Sequence, residues 1–262
     1  LTERGPGGRL LVDEPAPHVA RLTISHPQRR GALDHAILDA FTRTLPGLDA
    51  RCVIVTGSDG MFSAGYDIAG LSQETFAGEA EQLVAHPFAA ALAAIDDYPF
   101  PTLAALSGSA IGGGLELALA CDLRIASTDA RLGMPPGRLG LVYSHTGVRR
   151  FIDAIGGPRT RELFLVGSTI DAATGLQWGL VNAVCDPAEL PDTALQLATR
   201  IAANAPLAQS GNARVIDAVL DGLTPALERE LLTLRDASFA SADFREGVRA
   251  FTEKRPPRWQ GR

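Results

Sequence analysis

The chain has 262 residues, 46% of them hydrophobic and 21% charged, with a formal net charge of −6 at pH 7. This is an ordinary globular composition, long enough to bury a sizeable core and short of two full domains. With no block of Lys or Arg in the sequence, the acidic balance argues against nucleic acid or an anionic membrane surface as the main partner, and leaves open a local basic site for a small anion.

Short β-branched or apolar runs ending in Gly, Ser or Asp predict strands at 19–25 (VARLTIS), 51–57 (RCVIVTG), 102–108 (TLAALSG), 122–128 (DLRIAST) and 180–185 (LVNAVC). Helical periodicity predicts helices near 33–45, 78–96, 114–121, 147–154, 158–166, 171–178, 191–204, 207–220 and 224–237. Such alternation implies an α/β fold with crossovers. Beyond Pro187 the pattern is almost all helix, which divides the chain into a core over 1–195 and a helical C-terminal region over 196–262. The closing KRPPRWQGR reads as a surface tail. Cys52, Cys121 and Cys185 are odd in number and far apart, as expected of buried, inert thiols and not of a disulfide framework or a zinc site. No run suits a membrane span, and the first ten residues lack the apolar centre of a signal peptide, so a cytoplasmic protein is expected.

The stretch LSGSAIGGGLELALACD (106–122) places Gly112, Gly113 and Gly114 between a strand and a helix. Unpaired amides at a helix start, with the helix dipole behind them, suit a bound anion or a developing oxyanion. Close packing of the helix on a neighbour would also call for small residues there. Glu116 follows three residues after Gly113 in an otherwise apolar run. A carboxylate there suits general acid or base work, or a structural ion pair. A second Gly-containing turn, GMFSAGYDIAGL (60–71), follows another strand. Two such turns could each aim one amide at a single oxygen.

The patterns F-x-x-G-x-D-I and G-G-G-x-E-L-A, in this order and at this separation, resemble the crotonase (enoyl-CoA hydratase/isomerase) superfamily over nearly the whole chain. The resemblance implies a superhelix of β-β-α repeats with a helical C-terminal trimerisation region. It also implies an acyl-CoA thioester substrate, no cofactor beyond its CoA moiety, no metal, and a homotrimer or a hexamer of paired trimers. It assigns the two oxyanion amides to Tyr66 and Gly113 and sets Glu116 beside the reactive carbons. Arg29 or Arg30 of HPQRRGAL would meet CoA phosphates, with Gly31 standing where the family has Asn. The backbone around Ser63, Ala64, Asp67 and Ile68 would meet adenine, and Phe251 and Lys254 would reach a neighbouring subunit's CoA.

Hydratases of this superfamily carry a second glutamate in a segment that here reads GMPPGRLG, where Pro136 takes its position. The stretch MPPGRLGLVYSHTGVRRF (134–151) is similar to the matching segment of methylmalonyl-CoA decarboxylases, in which a tyrosine, here Tyr143, holds the substrate carboxylate. Tyr66 stands where those enzymes have His. The first expectation is therefore decarboxylation of a malonyl- or methylmalonyl-type thioester. The alternatives are an enoyl-CoA hydratase or isomerase using Glu116 as its single acid/base, thioester hydrolysis, and a non-catalytic binding fold. His145 and the pair Arg149 and Arg150 read as surface or structural groups.

Overall fold

The computed structural model describes residues 7–67 and 84–262. Its main sheet has the order β1-β2-β3-β5-β7-β10. The strands are β1 (Arg9–Ala16), β2 (Val19–Ser25), β3 (Cys52–Gly57), β5 (Thr102–Leu106), β7 (Leu123–Ser127) and β10 (Ala183–Cys185). β1 pairs antiparallel with β2, and every other neighbour is parallel. β5 is buried along its whole length, as a central parallel strand covered on both faces should be. Alternation along β3 sends Val53 and Val55 into one core, and Cys52 and Ile54 into another on the opposite face.

A smaller sheet has the order β4-β6-β8-β9, made of β4 (Met61–Ser63), β6 (Ser109–Ile111), β8 (Arg131–Gly133) and β9 (Thr169–Asp171). Each of the pairs β3/β4, β5/β6 and β7/β8 gives one strand to each sheet, which is the β-β-α turn of the expected superhelix. Because β4, β6 and β8 are parallel neighbours, the segments leaving their carboxyl ends emerge side by side. These are Ala64–Asp67, the helix start at Gly113, and the stretch from Met134 to Tyr143.

The helices are α1 (His35–Thr44), α2 (Ala89–Asp96), α3 (Gly113–Ala120), α4 (His145–Arg161), α5 (Ala172–Trp178), α6 (Leu190–Ala202), α7 (Pro206–Asp221), α8 (Pro225–Ala240) and α9 (Ala242–Glu253). α1, α2 and α3 pack into the larger core. α6 closes the other with Leu190, Ala194, Ala198 and Ile201. Position 195 therefore falls inside α6, whose buried face continues to Ala202. Among the described residues no helix is long and apolar enough to cross a membrane.

Several elements differ from the sequence reading. β4, β6, β8 and β9 are three residues each, too short for a period-2 pattern to register. β1 is a largely exposed edge strand. The predicted helices at 147–154 and 158–166 are both present, since Gly156, at φ 74°, kinks the span of α4 between them and the second continues as a π-helical turn over Glu162–Val166. α9 extends the helical region beyond the predicted 224–237. The C-terminal tail is not free. Trp259 donates its indole N–H to Ala203 O at 2.7 Å, and Asp243 accepts from the amides of Gln260 and Gly261 at 2.6 and 3.0 Å. Cys52 and Cys121 are buried thiols whose pKa burial pushes up to about 12, whereas Cys185 is only half-buried. The part of the predicted 78–96 helix before residue 84, and the helix expected after Asp67, lie outside the described residues.

Asp34, in the segment after β2, ties α1 to the residues that lead into β1. Its carboxylate caps α1 by accepting from Ile37 N at 2.9 Å, and it accepts from Gly8 N at 2.7 Å. Asp34→Ala should cost about 1–2 kcal/mol, read as a lower denaturant midpoint at unchanged slope. An unmoved midpoint would show that the cap contributes nothing.

Candidate active site

Two backbone segments meet at the carboxyl ends of β4 and β6. Ser63, fully buried, donates its hydroxyl to Gly31 O at 2.7 Å and accepts from Gly65 N at 3.1 Å. This bends the chain so that Gly65, at φ 91°, lies against the start of α3. A Cβ on Gly65 would sit 2.7 Å from Ile111 O and 3.3 Å from Gly113 N. Leu33 N donates to Gly65 O and Asp67 N donates to Leu33 O, at 2.8 and 3.0 Å. In this parallel bridge the N–H of Tyr66 points away from Leu33.

The three glycines at that helix start have separate jobs. Gly112 takes φ 57° to turn the chain into the helix. A Cβ on Gly113 would lie 2.8 Å from the Tyr66 ring, and one on Gly114 would lie 2.7 Å from both Cβ and O of Ser63. The amides of Gly113 and Tyr66 have no acceptor among the described residues. Gly113 and Gly114 thus both serve close packing, and Gly113 also leaves an amide without an acceptor among the described residues at a positive helix end.

Glu116 lies in the first turn of α3 and is 2% exposed. Tyr143 Oη donates to its Oε2, and Tyr66 Oη lies 3.2 Å from Tyr143 Oη. Oε1 has no hydrogen-bond partner among the described residues, so it is the carboxylate oxygen they leave open. Burial raises the pKa of Glu116, while the Tyr143 hydrogen bond and the Arg150 charge pull it partly back and Asp96 opposes them. Arg150 on α4 is itself held by Asp96 at the end of α2, with one contact of 3.0 Å. Both phenols are pushed well above their ordinary pKa, chiefly by burial, so they remain O–H donors.

The remaining predicted residues fall into two places. Arg29, Arg30, Ser63, Ala64 and Asp67 come together: Arg29 Nη1 donates to Asp67 at 2.5 Å, and Ala64 N donates to Arg30 O at 3.1 Å. Asp67 is thus an ion-pair partner of Arg29 among the described residues. Ile68 lies outside them. Phe251 and Lys254 stand at the end of α9, Phe251 87% exposed. Tyr143, expected to face a substrate carboxylate, commits its hydroxyl to Glu116. Pro136 is buried at the start of a short 3₁₀ turn, and the stretch from Met134 to Tyr143 contains no carboxylate. Arg149 pairs with Asp153 at 3.1 Å, in line with the structural reading.

Sequence reasoning missed Gly147 and the Tyr66 hydroxyl. Gly147 opens α4 under the Ser144 cap. A Cβ there would lie 2.6 Å from Tyr143 Cε1 and 2.7 Å from Glu116 Oε1. The available signal was a glycine four residues after Tyr143, just inside a capped helix. The Tyr66–Tyr143 contact spans 77 positions and left no trace in local pattern.

A family profile described as enoyl-CoA hydratase/isomerase matches residues 14–262. The Mycobacterium tuberculosis protein named "Probable enoyl-CoA hydratase echA8" is 36% identical over 253 residues, covering 93% of this chain and 95% of its own. The carnitinyl-CoA dehydratase of Proteus mirabilis is 32% identical over 269 residues, covering 100% and 98%. The crystal structure of an enoyl-CoA hydratase from Bacillus anthracis superposes with a TM-score of 0.87 at 29% identity, covering 97% and 100%.

Two outcomes follow from the geometry of Glu116. Its raised pKa means that the folded state prefers the protonated acid, so stability is lost as pH rises from the ordinary value of 4.5 through the folded pKa. Glu116→Gln should therefore melt above the unaltered protein at pH 7–8 and close to it at pH 4. Equal melting temperatures at both pH values would contradict the raised pKa. Gly147→Ala should push the carboxylate aside and lower turnover by about 10²-fold in a folded protein, and unchanged turnover would show that its position is not critical.

Proposed function

This chain belongs to the enoyl-CoA hydratase/isomerase family, and we propose that it acts on enoyl-CoA thioesters as a hydratase or isomerase with Glu116 as its single acid/base. The observation that carries the reading is Oε1 of Glu116, without a partner among the described residues, on the helix whose first amide has no acceptor among them. The thioester oxygen takes the amides of Tyr66 and Gly113. As an enolate forms, negative charge collects on that oxygen, and each donor stabilises it by about 2.7–4 kcal/mol. Glu116 Oε1 then carries the proton. In isomerisation it removes one from C2 and returns it at C4. In hydration it takes one from water attacking C3 and delivers it to C2. The raised pKa brings the carboxylate nearer neutrality, where proton transfer in both directions is efficient.

Decarboxylation of a malonyl-type thioester needs the same amides and no base. A substrate carboxylate held by Tyr143 would, however, share that hydroxyl with Glu116 and lie beside a like charge. The names of the relatives also favour hydration or dehydration.

Arg29 and Arg30 would meet the CoA phosphates at the loop that also holds Ser63, Ala64 and Asp67, a reading supported by their convergence there. The exposed apolar side chains of Ile216, Val219, Phe244 and Phe251 on the C-terminal helices support assembly of copies into a trimer or hexamer. Phe251 and Lys254 would then approach a neighbour's CoA.

The test is turnover of crotonyl-CoA, a 3-enoyl-CoA and methylmalonyl-CoA in deuterated water, followed by mass spectrometry. Hydration or double-bond migration with deuterium gained on carbon is expected, and Glu116→Gln should slow it by about 10²–10⁴-fold. Consumption of methylmalonyl-CoA alone, with loss of CO₂, would overturn the reading in favour of decarboxylation. Full activity of Glu116→Gln would remove Glu116 as the proton carrier.

A further inference from the structure

We propose that Tyr66 and Tyr143 form a directed hydroxyl chain that positions Glu116 and selects Oε1 as the oxygen that carries the proton. The inference rests on Glu116 being the acid/base of the site.

Each phenol has one hydrogen. An ionised carboxylate only accepts, so Tyr143 must donate to Oε2, as the geometry has it. With its hydrogen committed, the Tyr143 oxygen accepts from Tyr66 at 3.2 Å. The chain then runs one way, Tyr66 to Tyr143 to Glu116. A proton arriving on Oε1 leaves that direction intact. A proton on Oε2 would require both phenols to turn their hydrogens around. The chain therefore favours protonation at Oε1, the oxygen that Tyr143 leaves free.

The rings are held in place for this role. Tyr66 packs edge-to-face on Phe88, with centroids 4.8 Å apart, and lies over Gly113. Tyr143 packs edge-to-face on Phe164 at 5.7 Å, and its ring edge fills the space where Gly147 has no side chain. Burial keeps both phenols protonated, so they serve as donors and not as bases. The other charged groups acting on Glu116 are Arg150 of α4 and Asp96 of α2. They oppose each other and are paired together, which leaves Tyr143 as the direct partner of the carboxylate. Tyr143 and the Tyr66 hydroxyl are thus positioning groups, separate from the Tyr66 amide assigned to the thioester oxygen.

The test reads Glu116 without any substrate. Infrared spectra across pH follow the C=O band of its protonated acid, identified by its loss in Glu116→Gln. Tyr143→Phe keeps the ring and removes the donor to the charged form. The band's midpoint should rise by about one to two pH units, at a melting temperature near that of the unaltered protein. Tyr66→Phe should raise it by less. A midpoint that stays put in folded Tyr143→Phe would overturn the proposal, and an unshifted midpoint in Tyr66→Phe would remove the second link. Turnover is scored separately. Shifted midpoints without conversion of any enoyl-CoA would leave the chain standing and sink the hydratase/isomerase reading.

Discussion

The close approach of the Gly65–Tyr66 backbone to the start of α3 governs the rest of the site. An ordinary residue at position 65 would drive a Cβ to 2.7 Å from Ile111 O, and at position 114 to 2.7 Å from Ser63. Real contacts of that length do not persist, so a side chain at either position would force the segments apart. With glycine there, two amides from different turns of the superhelix are left without acceptors among the described residues, on converging segments. Neither segment could achieve this alone. The parallel pairing of β4 with β6 supplies the register, and the Ser63 hydroxyl locks the bend by bonding to both Gly31 and Gly65.

The same approach decides the character of Glu116. Helix α3 is buried from Gly113 to Ala120, and a carboxylate in such a helix is costly unless it is partnered. Here one oxygen is partnered by a neutral hydroxyl and the other has no partner among the described residues. That asymmetry keeps the group ionisable and gives it a single reactive face. The missing side chain at Gly147 makes the arrangement possible, since any Cβ there would fill the space of both Tyr143 and Glu116. Rigidity therefore comes from the backbone, and the chemistry falls to one carboxylate.

Long-period features were legible in the sequence. The apolar strands β2, β3, β5 and β7 and the amphipathic helices α1 and α6 showed themselves by periodicity, and the glycine run with Glu116 showed itself by its isolation in an apolar stretch. The three-residue strands of the smaller sheet did not, because three positions cannot display alternation. They form because their neighbours in space accept their hydrogen bonds, a tertiary effect. Tyr143 was singled out by its loop, but its partner was read as a substrate carboxylate. The Tyr143 hydroxyl meets residues far apart in sequence, 66 and 116, brought together by the pairing of β4 with β6 and the packing of α3 against α4. The tail at 254–262 does lie on the surface, as read, and what the sequence did not display is its anchoring through Trp259 to Ala203.

The most direct measurement is a crystal structure with a non-reactive acyl-CoA thioester bound. The account predicts the thioester oxygen within hydrogen-bond distance of both Tyr66 N and Gly113 N, with Glu116 Oε1 facing the carbon next to the thioester. A thioester oxygen bound elsewhere, with those two amides still free, would contradict the oxyanion site and the role built on it for Glu116.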